Sequence, residues 1–169
     1  MQINRATDYA NRVMIHLATL PPGSKAQLIA LEHAAGARGS FLSKVMQRLA
    51  HAGFVASQRG NASGFCLRVD SDKTSLLEVI EAMEGPTHLN VCLATGASCE
   101  RKSWCGVHPV WERAQATPRD VLASVSIRQL SRDTEVSRSK QLQLVVTETA
   151  ELDPGALEVL ANKEKCSQV

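Results

Sequence analysis

Apolar positions along the first twenty residues recur at helical spacing. Tyr9, Val13 and Leu17 stand at i, i+4 and i+8, and Ala10 and Met14 widen the stripe. Pro21-Pro22-Gly23 ends this helix, because proline carries no N–H for the hydrogen-bond ladder. A short second helix is predicted around Leu28, Leu31 and Ala35, closing near Gly36. After Ala37-Arg38-Gly39, Ser40 is placed to cap a third helix with Phe41, Leu42, Val45, Met46 and Leu49 on one face, and Gly53 closes it. Two β-prone runs follow, Phe54–Ser57 and Phe65–Val69. The connector Gln58–Gly64 between them is polar and rich in turn residues, which makes the unit a hairpin. Ser75-x-x-Glu78 is a capping box that opens a fourth helix through Leu76, Leu77, Val79, Ile80 and Met83, with Gly85-Pro86 as its stop.

Beyond this point the pattern changes. Residues 86–108 read as a loop, and a long helical stretch runs from Pro109 to Leu130. Thr117-Pro118-x-Asp120 has the chemistry of a helix start, so a kink or restart is expected there. Leu142–Thr147 is compatible with a strand and Pro154–Ala161 with a short helix. The fold class predicted is mainly α with a small β-hairpin wing. The expected division is a winged helix-turn-helix over 1–85, a loop over 86–108, a long helix over 109–132 and an extension over 133–169.

A length of 169 residues fits one domain, or one domain with an appendage. The 44% apolar content supports a buried core, and no apolar run approaches the ~20 residues of a membrane span. The N-terminus lacks a secretory apolar region, so a cytoplasmic protein without membrane association is expected. Aromatic residues are only 4%, which argues against single-strand binding by base stacking. The net charge of +2 hides an asymmetry, with +5 over residues 1–70 and −3 over the remainder. Such an excess is common on solvated surface, and charge alone decides nothing. The order of elements decides more. Three helices with a tight turn before the third, then a two-stranded wing, is the arrangement that places a recognition helix in the DNA major groove. Ser40, Ser43, Lys44, Gln47 and Arg48 then face outward as candidates for base edges and phosphates, and Arg59 at the hairpin tip suits the minor groove.

Five cysteines in a chain read as cytoplasmic argue for free thiols or metal ligands rather than disulfides. Cys92-x6-Cys99-x5-Cys105-x2-His108 supplies three thiolates and an imidazole from one loop, a donor set that suits zinc or an iron–sulfur cluster. Gly96 and Gly106 let the loop turn around a metal, and Trp104 is available to shield it. The intervals lack the paired C-x2-C knuckles of most structural zinc sites, which tilts the balance toward a cluster. Cys66 and Cys166 stand apart as bystanders, and His16, His33, His51 and His88 read as ordinary histidines. No nucleotide loop, convincing acid–base pair or C-x-x-C motif is present, so an enzyme is not expected.

Several segments together resemble the Rrf-type family of bacterial winged-helix transcription regulators, of IscR/NsrR-like kind. They are Ala6-Thr7-Asp8-Tyr9-Ala10, Phe41-Leu42-x-Lys44-Val45-Met46-x-x-Leu49, Ala52-Gly53-Phe54-Val55, Arg59-Gly60 and Leu77–Gly85, followed by three cysteines before a long helix. The resemblance covers roughly residues 1–133. It implies a homodimer on a pseudo-palindromic operator in double-stranded DNA, with the helix over 109–132 as dimer interface. It also implies one iron–sulfur cluster per subunit, held by Cys92, Cys99 and Cys105, that modulates DNA affinity. Ser40, Ser43 and Arg59 stand where family members touch DNA. Two fourth ligands are implied. Cys105-x2-His108-x2-Trp111 resembles the 2Fe–2S pattern completed by histidine, and Thr7-Asp8-Tyr9 resembles the 4Fe–4S pattern completed by an aspartate of the partner subunit. Zinc-stabilised and thiol-switch regulators without a cluster are the alternatives. Three features depart from the family pattern: Asn61-Ala62-Ser63-Gly64 in place of a glycine run, Pro118 inside the dimer helix, and residues past Arg132, which lie outside the resemblance.

Overall fold

The computed structural model describes residues 3–58, 63–94 and 96–152, with side chains described as far as Leu144. Helix α1 (Arg5–Thr19) starts where the Asn4 side chain accepts a hydrogen bond from the Thr7 N–H. It buries Ala10, Val13, Met14 and Leu17 along the stripe expected from the spacing. Helix α2 (Leu28–Ala35) ends at Gly36, whose φ of +67° is a left-handed conformation that glycine adopts without a Cβ clash. Helix α3 (Gly39–His51) buries Leu42, Val45, Met46 and Leu49. Its N-cap is Arg38 rather than Ser40, so Ser40 lies inside the first turn and corrects the expected cap.

Strands β1 (Val55–Gln58) and β2 (Gly64–Leu67) pair antiparallel, with Val55 opposite Leu67 and Gln58 opposite Gly64. A third strand-like contact comes from the α1–α2 connection. Ala26 and Phe65 exchange both backbone hydrogen bonds at 2.9 Å. This contact explains Gly64. A Cβ there would stand 2.8 Å from the Ala26 carbonyl oxygen, a backbone atom with no rotamer to yield. Gly64→Ala is therefore expected to cost about 1–3 kcal/mol through overpacking. A denaturation midpoint equal to that of the unmodified chain would refute it.

Helix α4 (Leu76–Glu84) opens on the expected capping box, with Ser75 and Glu78 bonded reciprocally. The described residues of 86–107 are loop and turn apart from one 3-10 turn at Val91–Leu93. Helix α5 (His108–Ser124) then carries Pro109 in its first turn.

Two expectations past this point are corrected. The stretch 109–132 is not a single helix, and its break is not at Pro118, which α5 carries in its interior. The break falls at Val125-Ser126, before α6 (Ile127–Leu152). There the Leu76 N–H donates to the Val125 carbonyl and the Ile127 N–H to the Thr74 carbonyl, so a short bridge to the start of α4 interrupts the helix. Residues 142–147, expected as a strand, lie within α6. The expected helix at Pro154–Ala161 lies outside the described residues.

The chain divides into two compact units, one ending at Ser131 and one beginning at Arg132. In the first unit, α1, α2, α3 and α4 enclose a single core that Ile127 enters fully buried. In the second, the described side chains from Arg132 to Leu144 are exposed. Among the described residues no helix is long and apolar enough to cross a membrane.

Candidate nucleic-acid interface and metal centre

The outer face of α3 is built by subtraction. Its inner face is fully committed to the core, so Ser40, Lys44 and Gln47 are left exposed at helical spacing. Ser43 is half-buried on the same stripe, and its hydroxyl donates to the Gly39 carbonyl at 2.8 Å. That bond leaves the oxygen lone pairs free to accept. Arg48 is exposed as expected and makes a contact the sequence did not show. Its guanidinium donates to the Met83 carbonyl at the C-terminal end of α4, which ties the recognition helix to its scaffold. Arg59 lies outside the described residues.

Sequence reasoning passed over two exposed cations beside this face. Arg38 immediately precedes α3, and Lys25 adjoins the base of the wing close to Gly64. Position next to a helix start was a usable signal for Arg38. Nothing local marks Lys25, because the wing contact of Ala26 is long-range.

Behind α3, two residues of α1 reach the turn motif. Tyr9 meets Phe41 edge-to-face, with ring centroids 5.6 Å apart. Arg12 pairs with Asp8 at 2.7 Å and donates through its other terminal nitrogen to the Ala35 carbonyl at 3.0 Å. Asp8 thus sits on α1, linked through one guanidinium to the end of α2.

The cysteine loop connects α4 to α5. Cys92 is half-buried in the 3-10 turn, Cys105 is half-buried just before α5, and Cys99 is exposed. His108, the first residue of α5, is only 4% exposed. Both of its ring nitrogens are buried without a hydrogen-bond partner, an arrangement that costs free energy unless something binds them. Glu112, one turn on, has its Oε1 3.7 Å from His108 Nδ1. A cavity of about 440 Å³ opens here, lined by Cys92, Lys102, His108, Glu112, Arg119 and Asp120 among others. Arg119 also pairs with Glu81 of α4 at 2.5 Å, which joins the cavity wall to the DNA-binding half.

The structure therefore brings Cys92 and His108 to one cavity, without Cys99, Cys105 or Asp8 among its lining. Among the described residues no three His, Cys, Asp or Glu side chains converge closely enough to hold a metal ion. The donor chemistry nonetheless fits a soft or borderline metal: thiols on a turn-rich loop, and a buried imidazole whose nitrogens make no hydrogen bond. Cys66, in β2, makes a 3.8 Å contact to the Ala56 carbonyl across the wing, and Cys166 lies outside the described residues.

Comparison with known proteins bears on both halves. The family model Rrf2, described as an iron-dependent transcriptional regulator, matches residues 3–133. The HTH-type transcriptional regulator IscR of Vibrio campbellii is 24% identical over 163 residues, spanning 96% of this chain and 92% of its own. The HTH-type transcriptional regulator NsrR of Bacillus subtilis is 27% identical over 136 residues, spanning 80% and 93%. Among solved structures, CymR of B. subtilis superposes with a TM-score of 0.64 at 22% identity, over 78% of this chain and 97% of that one. T. potens IscR superposes with a TM-score of 0.63 at 19% identity, over 81% and 90%. These proteins are regulators and not enzymes, and the winged-helix architecture is shared throughout. The match over both the helix-turn-helix and the cysteine loop shows that this chain belongs to the Rrf2 family of DNA-binding transcription regulators.

Proposed function

We propose that this chain acts in the cytoplasm as a homodimeric regulator whose affinity for a pseudo-palindromic DNA operator is controlled by one iron–sulfur cluster per subunit. Cys92, Cys99 and Cys105 would hold the cluster, with His108 or Asp8 of the partner subunit as fourth ligand. The observation that carries this reading is His108, buried and lining one cavity with Cys92, with both nitrogens unpartnered. Bound there, a cluster would supply a centre that reacts with oxidants and with nitric oxide.

The rest follows from this chain's own side chains. Val110, Ala114, Thr117 and Val121 are exposed along one stripe of α5, and this supports pairing of two copies through that helix. Arg12 holds Asp8 and the end of α2 together, so any event that engages the Asp8 carboxylate competes for the guanidinium that steadies the turn before α3. A dimer reads two half-sites about one helical turn apart, so a small change at that turn affects both contacts.

The test is a visible spectrum with iron and sulfide analysis on protein purified without oxygen. Brown protein with stoichiometric iron and sulfide, bleached by air or nitric oxide, is the expected result. Colourless protein containing zinc or no metal would overturn it. The second reading, a thiol switch or zinc-stabilised regulator, would then hold. It is favoured by one observation, the exposure of Cys99 away from the cavity.

A further inference from the structure

We infer that Glu112 is the positioning residue for His108: its carboxylate, 3.7 Å from Nδ1, moves in to take the hydrogen bond from Nδ1–H and so leaves the buried Nε2 lone pair as the one free to ligate. The inference rests on the reading that His108 is a ligand. A neutral imidazole carries one proton on two nitrogens, and the hydrogen bond made by one nitrogen decides which of them is left to bind a metal. His108 and Glu112 are four residues apart on α5, the spacing that brings side chains onto one face. Glu112 Oε1 stands 3.7 Å from Nδ1, outside hydrogen-bond length, on a side chain exposed enough to move closer, and Nε2 has no partner. The other charged groups lining the cavity are Lys102, Arg119 and Asp120, and Arg119 is already engaged by Glu81. A ligating histidine commonly donates its second N–H to a carboxylate, which fixes the ring and raises its basicity. Sequence spacing alone displays Glu112 as an ordinary solvated charge. Burial of the imidazole one turn before it gives the carboxylate a task.

The experiment uses full-length, metal-free, reduced protein with ¹⁵N-labelled histidine at pH 8. A long-range ¹H–¹⁵N correlation reports the tautomer, and the His108→Gln spectrum assigns the resonance. We expect His108 to be the Nδ1–H tautomer in the unmodified protein and in Glu112→Gln, whose amide oxygen still accepts. In Glu112→Ala that preference is lost. After anaerobic reconstitution, Glu112→Ala is expected to lose its cluster about 10-fold faster, with Glu112→Gln near the unmodified rate. An identical His108 tautomer in the unmodified protein and in Glu112→Ala would overturn the inference, whatever the cluster does. Failure of the unmodified protein to take up iron and sulfide would instead sink the ligand reading, and the tautomer spectra would still decide the role of Glu112.

Discussion

Replacing Ile127 with alanine is expected to lower the unfolding free energy by about 2–5 kcal/mol. Ile127 is the first residue of α6, yet it is fully buried in the core of the helix-turn-helix half. Its backbone N–H is bonded to the Thr74 carbonyl, so the surrounding chain is poorly placed to collapse into the space left behind. A domain of this size has only about 5–15 kcal/mol of stability in total, so the loss is a large share of it. In urea the midpoint should fall while the slope stays constant, because the folded architecture is unchanged. Val136→Ala, at an exposed position of α6, should stay within about 0.5 kcal/mol of the unmodified chain. An unchanged midpoint for Ile127→Ala would mean that the start of α6 is not part of the core. The functional consequence reaches further than stability. The bridge at Val125–Ile127 fastens the end of α5 to the start of α4, and α4 in turn receives Arg119 from the cavity wall and Arg48 from the recognition helix. Loosening this joint removes a physical connection between the cysteine loop and the DNA-reading face.

Legibility in the sequence followed the range of the interactions involved. Helices α1 to α4 were readable because stripe and stop are local signals, and the Ser75–Glu78 capping box formed as its spacing requires, although the cap of α3 fell at Arg38 and not at Ser40. The break between α5 and α6 was misplaced for the opposite reason. Thr117-Pro118 carries local start signals, but α5 continues through it, against a cost of about 3 kcal/mol for the missing N–H and the ring clash, while it packs along α4. The actual break is imposed by pairing with Ser75, some fifty residues earlier, which leaves no local trace. In residues 142–147 the β-branched run Val145-Val146-Thr147 suggested a strand, and the helix formers around it prevailed. At the candidate metal centre the donor types and their spacing were readable. The burial of His108, and the absence of Cys99 and Cys105 from its cavity, were not. Arg48 shows the same limit on the DNA side: its helix face was right, but its partner is a backbone carbonyl of another helix, and such a partner has no sequence signature.

That reassignment separates three neighbours on α3 that composition treats alike. Gln47 is exposed on the outer stripe, and its amide can make two bonds to the major-groove edge of one adenine, so Gln47→Ala is expected to cost about 1–3 kcal/mol of specific affinity and to relax selectivity at one base pair. Lys44, exposed one turn earlier, suits a phosphate. Lys44→Ala should weaken binding to all sequences alike and reduce the slope of log affinity against log salt by about 1. Arg48→Ala should differ from both. One of its N–H groups already ties α3 to the Met83 carbonyl, so removal is expected to lower the urea midpoint and to leave the salt slope unchanged. The measurement is titration of a fluorescent operator duplex, selected from random sequence, at four salt concentrations, beside urea unfolding of each variant. A salt slope reduced in Arg48→Ala with stability intact would return that residue to the phosphate contacts. A Gln47→Ala variant with unaltered sequence preference would remove the centre of α3 from base recognition and move the reading of sequence toward Ser40 and the wing.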